Sequence, residues 1–253
     1  MNPHPTEMLS NRAVIELRGG GILAILHNIL TCSVKNLNQG ELAYGSLLSP
    51  QGKILHDVFI HNAGDLIFVD CNEDQCGALI GKLQLYRLRA KFEITRSDQF
   101  HVLVGGTGAF DPRHSALGGR VLARGAVRDV AQNYHTRRFE LGIADSDEIG
   151  SGKLFPHEAN FDLLGAVDFN KGCYIGQEVV SRMQHRATVR ARILPATFTN
   201  DQYTDEIRKG EILLGEVLGR QGNQALALVR LDRLAELGAP SDLTITMPDW
   251  MKL

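Results

Sequence analysis

Hydrophobic positions follow helical spacing in some segments of the chain and strand spacing in others. Between residues 22 and 29, apolar side chains recur at i, i+3, i+4 and i+7, which predicts an amphipathic helix of about two turns. The segments Leu42 to Leu48 and Ile54 to Ile60 are extended and rich in apolar residues. The turn residues Ser49-Pro50-Gln51-Gly52 lie between these segments, and the arrangement predicts a hairpin.

The pattern continues with mixed elements and changes character near residue 190. A second helical face begins at Cys76, and two strands precede the glycine-rich segment 105–108, for which we predict a loop. A helix is predicted from about Val127 to Leu141, with Gly142 as its C-terminal stop. Short apolar strands divided by Pro and Gly follow and predict a small barrel or sandwich. The sequence therefore predicts an α+β protein with a domain boundary near residues 187–195.

Composition and charge exclude several classes of protein. The 253 residues carry 27 Lys and Arg against 29 Asp and Glu, a net charge of −2, and 43% are hydrophobic. This balance excludes a disordered chain and provides no overall field that would attract nucleic acid. The longest apolar stretch, residues 21–30, is far shorter than the ~20 residues of a membrane span, and no secretory signal is evident. Four cysteines do not make a disulfide framework. We therefore expect a cytoplasmic protein without membrane association.

Cys71 and Cys76 are separated by four residues, and no third thiol or histidine stands at metal-ligand spacing. We predict that both are buried as small apolar residues and that the chain has no metal site. The segment from Lys171 to Arg182 is more informative, since two glycines flank Cys173 just before a predicted helix near Gly176. A helix N-terminus and a nearby lysine both favour the thiolate, which makes Cys173 the candidate reactive thiol. The alternative is an ordinary turn with a packed cysteine.

The segment that follows is rich in arginine and lacks acidic residues. Arg186, Arg190 and Arg192 are candidates for binding an anionic ligand or a protein partner, because guanidinium groups bind phosphate and carboxylate bidentately. The alternative is a solvated strand face. The segment contains no aromatic residues for base stacking, so direct binding of nucleic acid is the weaker hypothesis.

The sequence K-G-C-Y-I-G-Q-E-V-V-S-R resembles the signature of the YgfZ-type folate-binding proteins. These belong to the superfamily of the glycine-cleavage T-protein, an aminomethyltransferase, together with mitochondrial iron–sulfur assembly factors. The resemblance extends over roughly residues 10–230. It places the functional cysteine on Cys173, with the motif positions Lys171, Gly172, Tyr174, Gly176, Gln177, Glu178 and Arg182.

The resemblance implies a three-lobed ring around a central channel for tetrahydrofolate or a one-carbon derivative. Residues 1–40 with 115–188 would form one α+β lobe, residues 41–114 the second, and residues 189–253 a C-terminal β-barrel. By similarity to T-proteins, the folate contacts would be Tyr44, Asn72, Glu140 and, in the same segment, Arg138. A carboxylate such as Glu140 suits the N–H edge of a pterin.

The resemblance also implies a function and an alternative. The leading hypothesis is a folate-binding monomer that supports assembly or repair of [4Fe–4S] enzymes, including radical enzymes that modify tRNA. Its expected partners are iron–sulfur assembly proteins or client enzymes. The alternative is a folate-dependent aminomethyltransferase with Asp57 as the catalytic carboxylate, although His56 stands where T-proteins have a second aspartate. A third hypothesis, a tRNA modifier that binds RNA directly, depends only on the arginine segment.

Overall fold

The α+β class is confirmed by the computed structural model, which describes residues 6–125, 131–186, 189–199 and 204–252. In chain order the strands are β1 (Glu7–Leu9), β2 (Arg12–Gly19), β3 (Leu42–Leu48), β4 (Ile54–Asn62), β5 (Leu66–Asn72), β6 (Phe92–Ser97), β7 (Phe100–Phe110), β8 (Gly119–Arg124), β9 (Ala191–Phe198), β10 (Glu206–Lys209), β11 (Ile212–Gln221), β12 (Gln224–Arg230) and β13 (Leu243–Ile245). The α-helices are α1 (Ile22–Ile29), α2 (Cys76–Arg87), α3 (Gln132–Leu141), α4 (Ser146–Ile149), α5 (Gln177–Arg186) and α6 (Leu231–Leu237).

The first sheet contains five antiparallel strands in the order β3-β4-β5-β2-β6. Helices α1 and α2 cover one face, where Leu26 and Leu79 pack against Ile15 and Val69. Alternation along β5 sends Phe68 and Asp70 to the face opposite these helices. This inner face carries buried polar residues, and it is the part of the sheet that matters for the site.

The other two sheets are also antiparallel. Strands β1, β7 and β8 form a three-stranded sheet in the order β1-β7-β8, and the C-terminal strands form a five-stranded sheet in the order β10-β11-β12-β9-β13. The barrel-like C-terminal sheet has its own apolar core, which includes Leu194, Leu214 and Val229. Trp250 links this region to α3, because its indole N–H donates to the Leu141 carbonyl at 2.9 Å.

The sheets are not divided as the predicted lobes are. Strand β2, assigned by resemblance to the first lobe, pairs with β5 and β6 of the second. Strand β7, assigned to the second lobe, pairs instead with β1 and β8. Antiparallel pairing between strands distant in sequence thus joins the two α+β segments into one interleaved body.

Several predicted elements agree with the structure and two differ. Helix α1 and the β3–β4 hairpin are confirmed. The helix expected from about Val127 to Leu141 begins at Gln132, after the N-cap residue Ala131, and residues 127–130 of the prediction lie outside the described residues. The loop predicted for residues 105–108 is wrong, since β7 runs through it with an irregularity in its pairing to β8. Among the helices of the described residues, none is long and apolar enough to cross a membrane.

Candidate functional site

The cysteine segment is held against the β3–β4 turn by its second glycine. Gly176 has φ +79°, and a Cβ at that position would lie 2.6 Å from the carbonyl oxygen of Ser49. The turn makes the reciprocal approach, because a Cβ on Gly52 would lie 2.9 Å from Cβ of Val179 in α5. These close contacts require glycine on both sides. They fix where the segment ends and α5 begins.

Lys171 anchors the other end of the segment. Its ammonium group donates to the carbonyl oxygens of His27, Leu30 (2.6 Å) and Cys32 (2.8 Å), at and just beyond the C-terminal end of α1. Three carbonyls therefore occupy the three donors of this lysine. Burial lowers the pKa of Lys171. The sequence predicts Lys171 as an activating charge beside the thiol, whereas its hydrogen bonds all go to carbonyls at and just beyond the end of α1, and its ammonium lies 5.3 Å from the centre of the Tyr174 ring.

Cys173 lies between these two anchors and is exposed, whereas Cys32, Cys71 and Cys76 are buried. The alternative of a packed cysteine in an ordinary turn is therefore wrong for Cys173. Tyr174, the next residue, points inward and is 7% exposed. Burial, and secondarily the charge of Asp168, raises the pKa of its phenol to about 12. The segment thus exposes a thiol to solvent, while Lys171, Tyr174 and Gly176 fix its backbone against the rest of the protein.

The remaining motif residues lie on or near the surface. Gly172 is exposed and has open space where a side chain would be. Arg182 donates to Glu178 at 2.6 Å along α5, and both side chains are largely exposed. Such a pair contributes little to stability. Gln177 is half-buried at the start of the helix. Arg186 ends α5, and its side chain lies outside the described residues.

Asp57 is buried on the inner face of the first sheet, 2% exposed, and is enclosed by polar partners. Its carboxylate accepts from Arg12 at 3.3 Å, from the Tyr44 hydroxyl at 3.4 Å and from the hydroxyl of Ser146 in α4. Burial raises the pKa of Tyr44 well above its usual value. Tyr44 and Asp57 are both predicted site residues, and the structure brings them together. They are hydrogen-bonded inside the protein and are not exposed to solvent.

Asp70 is the centre of that network. It accepts from Nε of Arg12 at 2.6 Å and from Nε of Arg120 at 2.7 Å. Burial alone would raise the pKa of Asp70, but the charges of Arg12 and Arg120 outweigh it and hold the pKa far below its usual value. A second group surrounds Asp145, whose pKa is likewise lowered because Arg138 and Arg113 outweigh its burial.

Arg138 belongs to this second group and is 2% exposed, with its guanidinium held by acidic partners. Its guanidinium contacts Glu148 at 2.8 Å and Asp145 at 3.1 Å, and it donates to the Ile143 carbonyl. Glu140, two residues later on α3, is exposed on the helix surface. The predicted folate contacts Arg138 and Glu140 are therefore not brought together.

Asn72 is connected through Asp147 to the lining of a cavity. Its amide donates to Asp147 at 2.8 Å, and its oxygen accepts from the backbone N–H of Gln75. Asp147 lines a cavity of about 420 Å³ together with His135, Arg138 and seven others. A second cavity of about 450 Å³ lies beyond the other end of β4 and β5, lined partly by Phe68, Phe100, His61 and Arg120. Neither cavity is lined by Tyr44, Asp57 or Asn72.

The predicted anion site at Arg190 and Arg192 is not formed. Arg192 is 4% exposed and binds Asp162 bidentately, at 2.9 and 2.8 Å. It also donates to the His157 carbonyl, so its charge is used inside the protein. Arg190 is exposed just before β9. Arg192 is buried because β9 packs against the loop that contains Asp162, which the alternation of the sequence did not indicate.

Sequence reasoning missed most of the buried network. The flanking sequence does not mark several of its charged members as buried. One signal is present in the sequence, because Asp70 interrupts the apolar strand LIFVDCN. A charge in a buried strand requires a partner of opposite sign. The sequence alone does not identify that partner, because Arg12 and Arg120 come from two other segments of the chain. The network also includes Asp111, Arg113, Tyr134 and Ser146.

Sequence comparison finds one matching domain family and several named relatives of this chain. The domain family described as CAF17, C-terminal beta-barrel domain, matches residues 190–253. A protein of Pyricularia oryzae named as a mitochondrial homolog of the iron–sulfur cluster assembly factor IBA57 is 31% identical, over 92% of this chain and 74% of that protein. The human mitochondrial IBA57 is 26% identical, over 96% of this chain and 84% of that protein.

The fold is similar to a solved aminomethyltransferase. The glycine cleavage system aminomethyltransferase T from Bartonella henselae superposes with a TM-score of 0.71 at 13% identity, over 91% of this chain and 79% of that one. The predicted T-protein fold with a C-terminal barrel-like domain is confirmed. The finer assignment differs, since the relatives are IBA57 proteins and not YgfZ-type proteins. The predicted cytoplasmic location is wrong on the same finding, because these relatives are named as mitochondrial proteins.

Proposed function

The chain belongs to the family of IBA57 iron–sulfur cluster assembly factors, and from this we propose that it supports cluster assembly through the thiol of Cys173. The observation that carries the proposal is the placement of that thiol. Cys173 is exposed between two fixed points, the carbonyl contacts of Lys171 and the close approach of Gly176 to Ser49. A fixed, accessible thiol can meet a partner protein without rearrangement of its own backbone.

The chemistry that suits this thiol is soft-metal and sulfide chemistry. Thiolates are the usual ligands of iron in iron–sulfur clusters, and four of them hold a [4Fe–4S] cluster. Within the described residues, no group of three or more His, Cys, Asp or Glu is arranged to hold a metal ion. We therefore assign Cys173 the role of a single ligand to a cluster in transit, with the other ligands supplied by an iron–sulfur assembly protein or a client enzyme.

Tetrahydrofolate does not fit the predicted contacts as they are arranged here. The Tyr44 hydroxyl, the Asp57 carboxylate and both groups of the Asn72 amide have partners inside the protein. A pterin would have to displace those partners, including the guanidinium group of Arg12 that pairs with Asp57. The proposed function therefore does not require tetrahydrofolate or a one-carbon derivative. Saturable binding of tetrahydrofolate that disappears in Asn72→Ala would contradict this assignment.

The two other hypotheses receive less support from the geometry. Aminomethyl transfer needs a carboxylate that can reach the substrate, whereas Asp57 is 2% exposed and bonded to three side chains. Direct modification of tRNA was based on the arginine segment, and Arg192 is engaged with Asp162. A special role for radical enzymes that modify tRNA remains a prediction without further support.

The proposed function is tested by replacing the exposed thiol. In cells lacking the protein, we expect Cys173→Ala to leave the activity of [4Fe–4S] enzymes as low as in the absence of the protein, while the wild type restores it. Because Cys173 is exposed, the free energy of unfolding of the Cys173→Ala protein should differ from that of the wild type by no more than about 0.5 kcal/mol.

Cys32→Ala provides the matched control, because it removes a thiol that is buried beneath the segment. We expect it to restore the enzymes at a normal level of folded protein. Full restoration by Cys173→Ala would remove the thiol from the mechanism. Failure of both variants to restore activity, with both folded, would equally count against the special role of Cys173.

A further inference from the structure

The outer face of helix α2 is exposed to solvent and carries no charge. The helix buries Cys76, Leu79 and Leu83 against the first sheet. Its solvent side consists of small, amide and apolar residues, namely Gly77, Ala78, Gly81, Gln84 and Leu85. Leu85 is 68% exposed, and Leu88, which caps the helix, is 85% exposed. Depletion of charge around exposed large apolar side chains is typical of the core of a protein–protein interface.

Two glycines make this face shallow. Gly77 and Gly81 are one helical turn apart, and nothing lies within 4 Å of the place where a Cβ would be at either position. Alanine would favour the helix more at both positions. The glycines therefore do not serve packing inside the chain, whereas small residues let a second helix backbone approach closely. The only charged residues of α2, Lys82 and Arg87, are half-buried.

The two ends of the face carry opposite charges. Glu73 and Asp74 lie in the turn before the helix, and Asp74 is exposed. Arg89 and Lys91 follow the helix and are both exposed. Glu73 already forms an ion pair with Arg96, so Asp74 is the acid at this end that remains available to a partner. The face is thus acidic at its N-terminal end, apolar in the middle and basic at its C-terminal end.

We propose that this face binds the same face of a second copy of the chain, with the two α2 helices antiparallel about a two-fold axis near Gly81. Such an axis places residues that are equally distant from Gly81 opposite each other, as an isologous interface requires. Leu85 then lies opposite Gly77 of the partner subunit, so a projecting side chain meets a position without one. Arg89 meets the acidic turn that contains Asp74 of the partner subunit. The antiparallel arrangement also places helix ends of opposite partial charge side by side.

The distribution of charge favours a second copy over other occupants. A surface of anionic lipid or an acidic helix of another protein would be attracted by Arg89 and Lys91. Either occupant would be repelled by Asp74 at the other end of the same helix, because like charges at close range are unfavourable. A second copy in the antiparallel orientation meets both ends with the opposite sign. The face is therefore complementary to itself in shape and in charge.

The first experiment measures the oligomeric state by sedimentation velocity over a series of protein concentrations. A reducing buffer prevents disulfides through the exposed thiol of Cys173. We expect the wild type to pass from monomer to dimer as its concentration rises, and Leu85→Asp to stay monomeric while it remains folded. Phe110→Asp is the matched control, because Phe110 is also 68% exposed but lies on β7. It should form dimers as the wild type does.

The second experiment reverses the charges at the two ends. Asp74→Lys and Arg89→Glu should each weaken the dimer at least about 10-fold, since each variant places like charges opposite each other in its own dimer. An equimolar mixture of the two variants should recover the wild-type affinity. In the mixed dimer, Lys and Glu meet at one end of the interface, and the original Asp and Arg meet at the other. Added salt should weaken the wild-type dimer because it screens these exposed pairs.

Several results would overturn the proposal. One is a wild type that is monomeric at every concentration, and another is a dimer that Leu85→Asp leaves intact. A mixture of the two charge variants that associates no better than either alone would exclude the antiparallel orientation. A monomeric protein that binds vesicles of anionic lipid through Leu85 would assign the face to a membrane instead. None of these readouts involves the role of Cys173 in cluster assembly.

Discussion

Gly176 determines how the cysteine segment meets the rest of the protein. Its φ of +79° and the 2.6 Å approach to the Ser49 oxygen leave no room for a side chain. Gly172, on the other side of Cys173, is exposed with open space around it. Two glycines of one motif thus have different physical roles, one in backbone geometry and the other in leaving the thiol uncovered. Tyr174 adds the apolar contact that holds the segment down.

The first prediction compares these two glycines. We expect Gly176→Ala to lower the free energy of unfolding by about 1–3 kcal/mol, because it combines an unfavourable backbone conformation with a steric overlap. Gly172→Ala is the control and should change the free energy of unfolding by less than about 0.5 kcal/mol. Urea unfolding of both variants provides the measurement. Equal effects at the two positions would show that the approach to Ser49 does not govern the segment.

At the scale of elements, β9 connects the C-terminal sheet to the loop that precedes the cysteine segment. Arg192 on β9 binds Asp162 bidentately and donates to the His157 carbonyl, while the Ile193 N–H donates to the Glu158 carbonyl. The ring nitrogen of His157 in turn lies 3.0 Å from the amide oxygen of Gln184 in α5. The barrel-like sheet, the loop and α5 are thereby packed as a unit.

The second prediction tests this connection with two neighbouring arginines. Arg192→Gln should destabilise the protein by about 3–5 kcal/mol, because it leaves the largely buried carboxylate of Asp162 without its partner. Arg190→Gln removes the same charge from an exposed position and should have an effect below about 0.5 kcal/mol. Thermal unfolding at one ionic strength distinguishes them. Similar melting temperatures for both variants would contradict an internal role for Arg192.

At the scale of the whole molecule, a buried network of charges joins the first sheet, the three-stranded sheet and helix α4. Arg12 comes from β2, Asp57 and Asp70 from β4 and β5, and Arg120 from β8. Asp70 and Asp145 keep their charge because the arginines around them outweigh the cost of burial. Replacing one member leaves an uncompensated charge, which is why such networks are sensitive to single substitutions.

The third prediction concerns acid. A carboxylate whose pKa is lower in the folded state contributes stability that is fully present above its unfolded pKa of about 4 and is lost as pH falls below it. Asp70 and Asp145 both have lowered pKa values in the folded protein. The contribution of each carboxylate to the free energy of unfolding should therefore fall by about 2–3 kcal/mol by about pH 2. Urea unfolding between pH 7 and pH 3 should show stability declining below about pH 4.

Asp232 is the control for the acid prediction. It pairs with Arg230 on the surface, and the hydrogen bond from Arg230 lowers its pKa to about 2. Solvent and salt screen such an exposed pair, so Asp232→Asn should leave the decline with pH almost unchanged. A free energy of unfolding that stays constant from pH 7 to pH 3 would contradict the role of the buried carboxylates.

The sequence by itself determined the features that depend on neighbours in the chain. Apolar periodicity predicted α1 and the β3–β4 hairpin, and the motif around Cys173 indicated the T-protein fold and the thiol that the structure leaves exposed. These features are local because helix spacing, turn residues and contiguous motifs are read within a few positions. The same local information placed Gly142 at the end of α3, where it takes the left-handed conformation.

Only the tertiary structure decided which side chains are free and which are engaged. Lys171, Arg192 and Asp57 have the residue types of a functional site, yet their partners lie 139–144, 30–35 and 13–89 residues away in the chain. Packing also buried Cys71 and Cys76 in the core and left Cys173 uncovered. The physical reason is that a charge or thiol acts through its burial and its nearest opposite group, and both are set by segments distant in sequence.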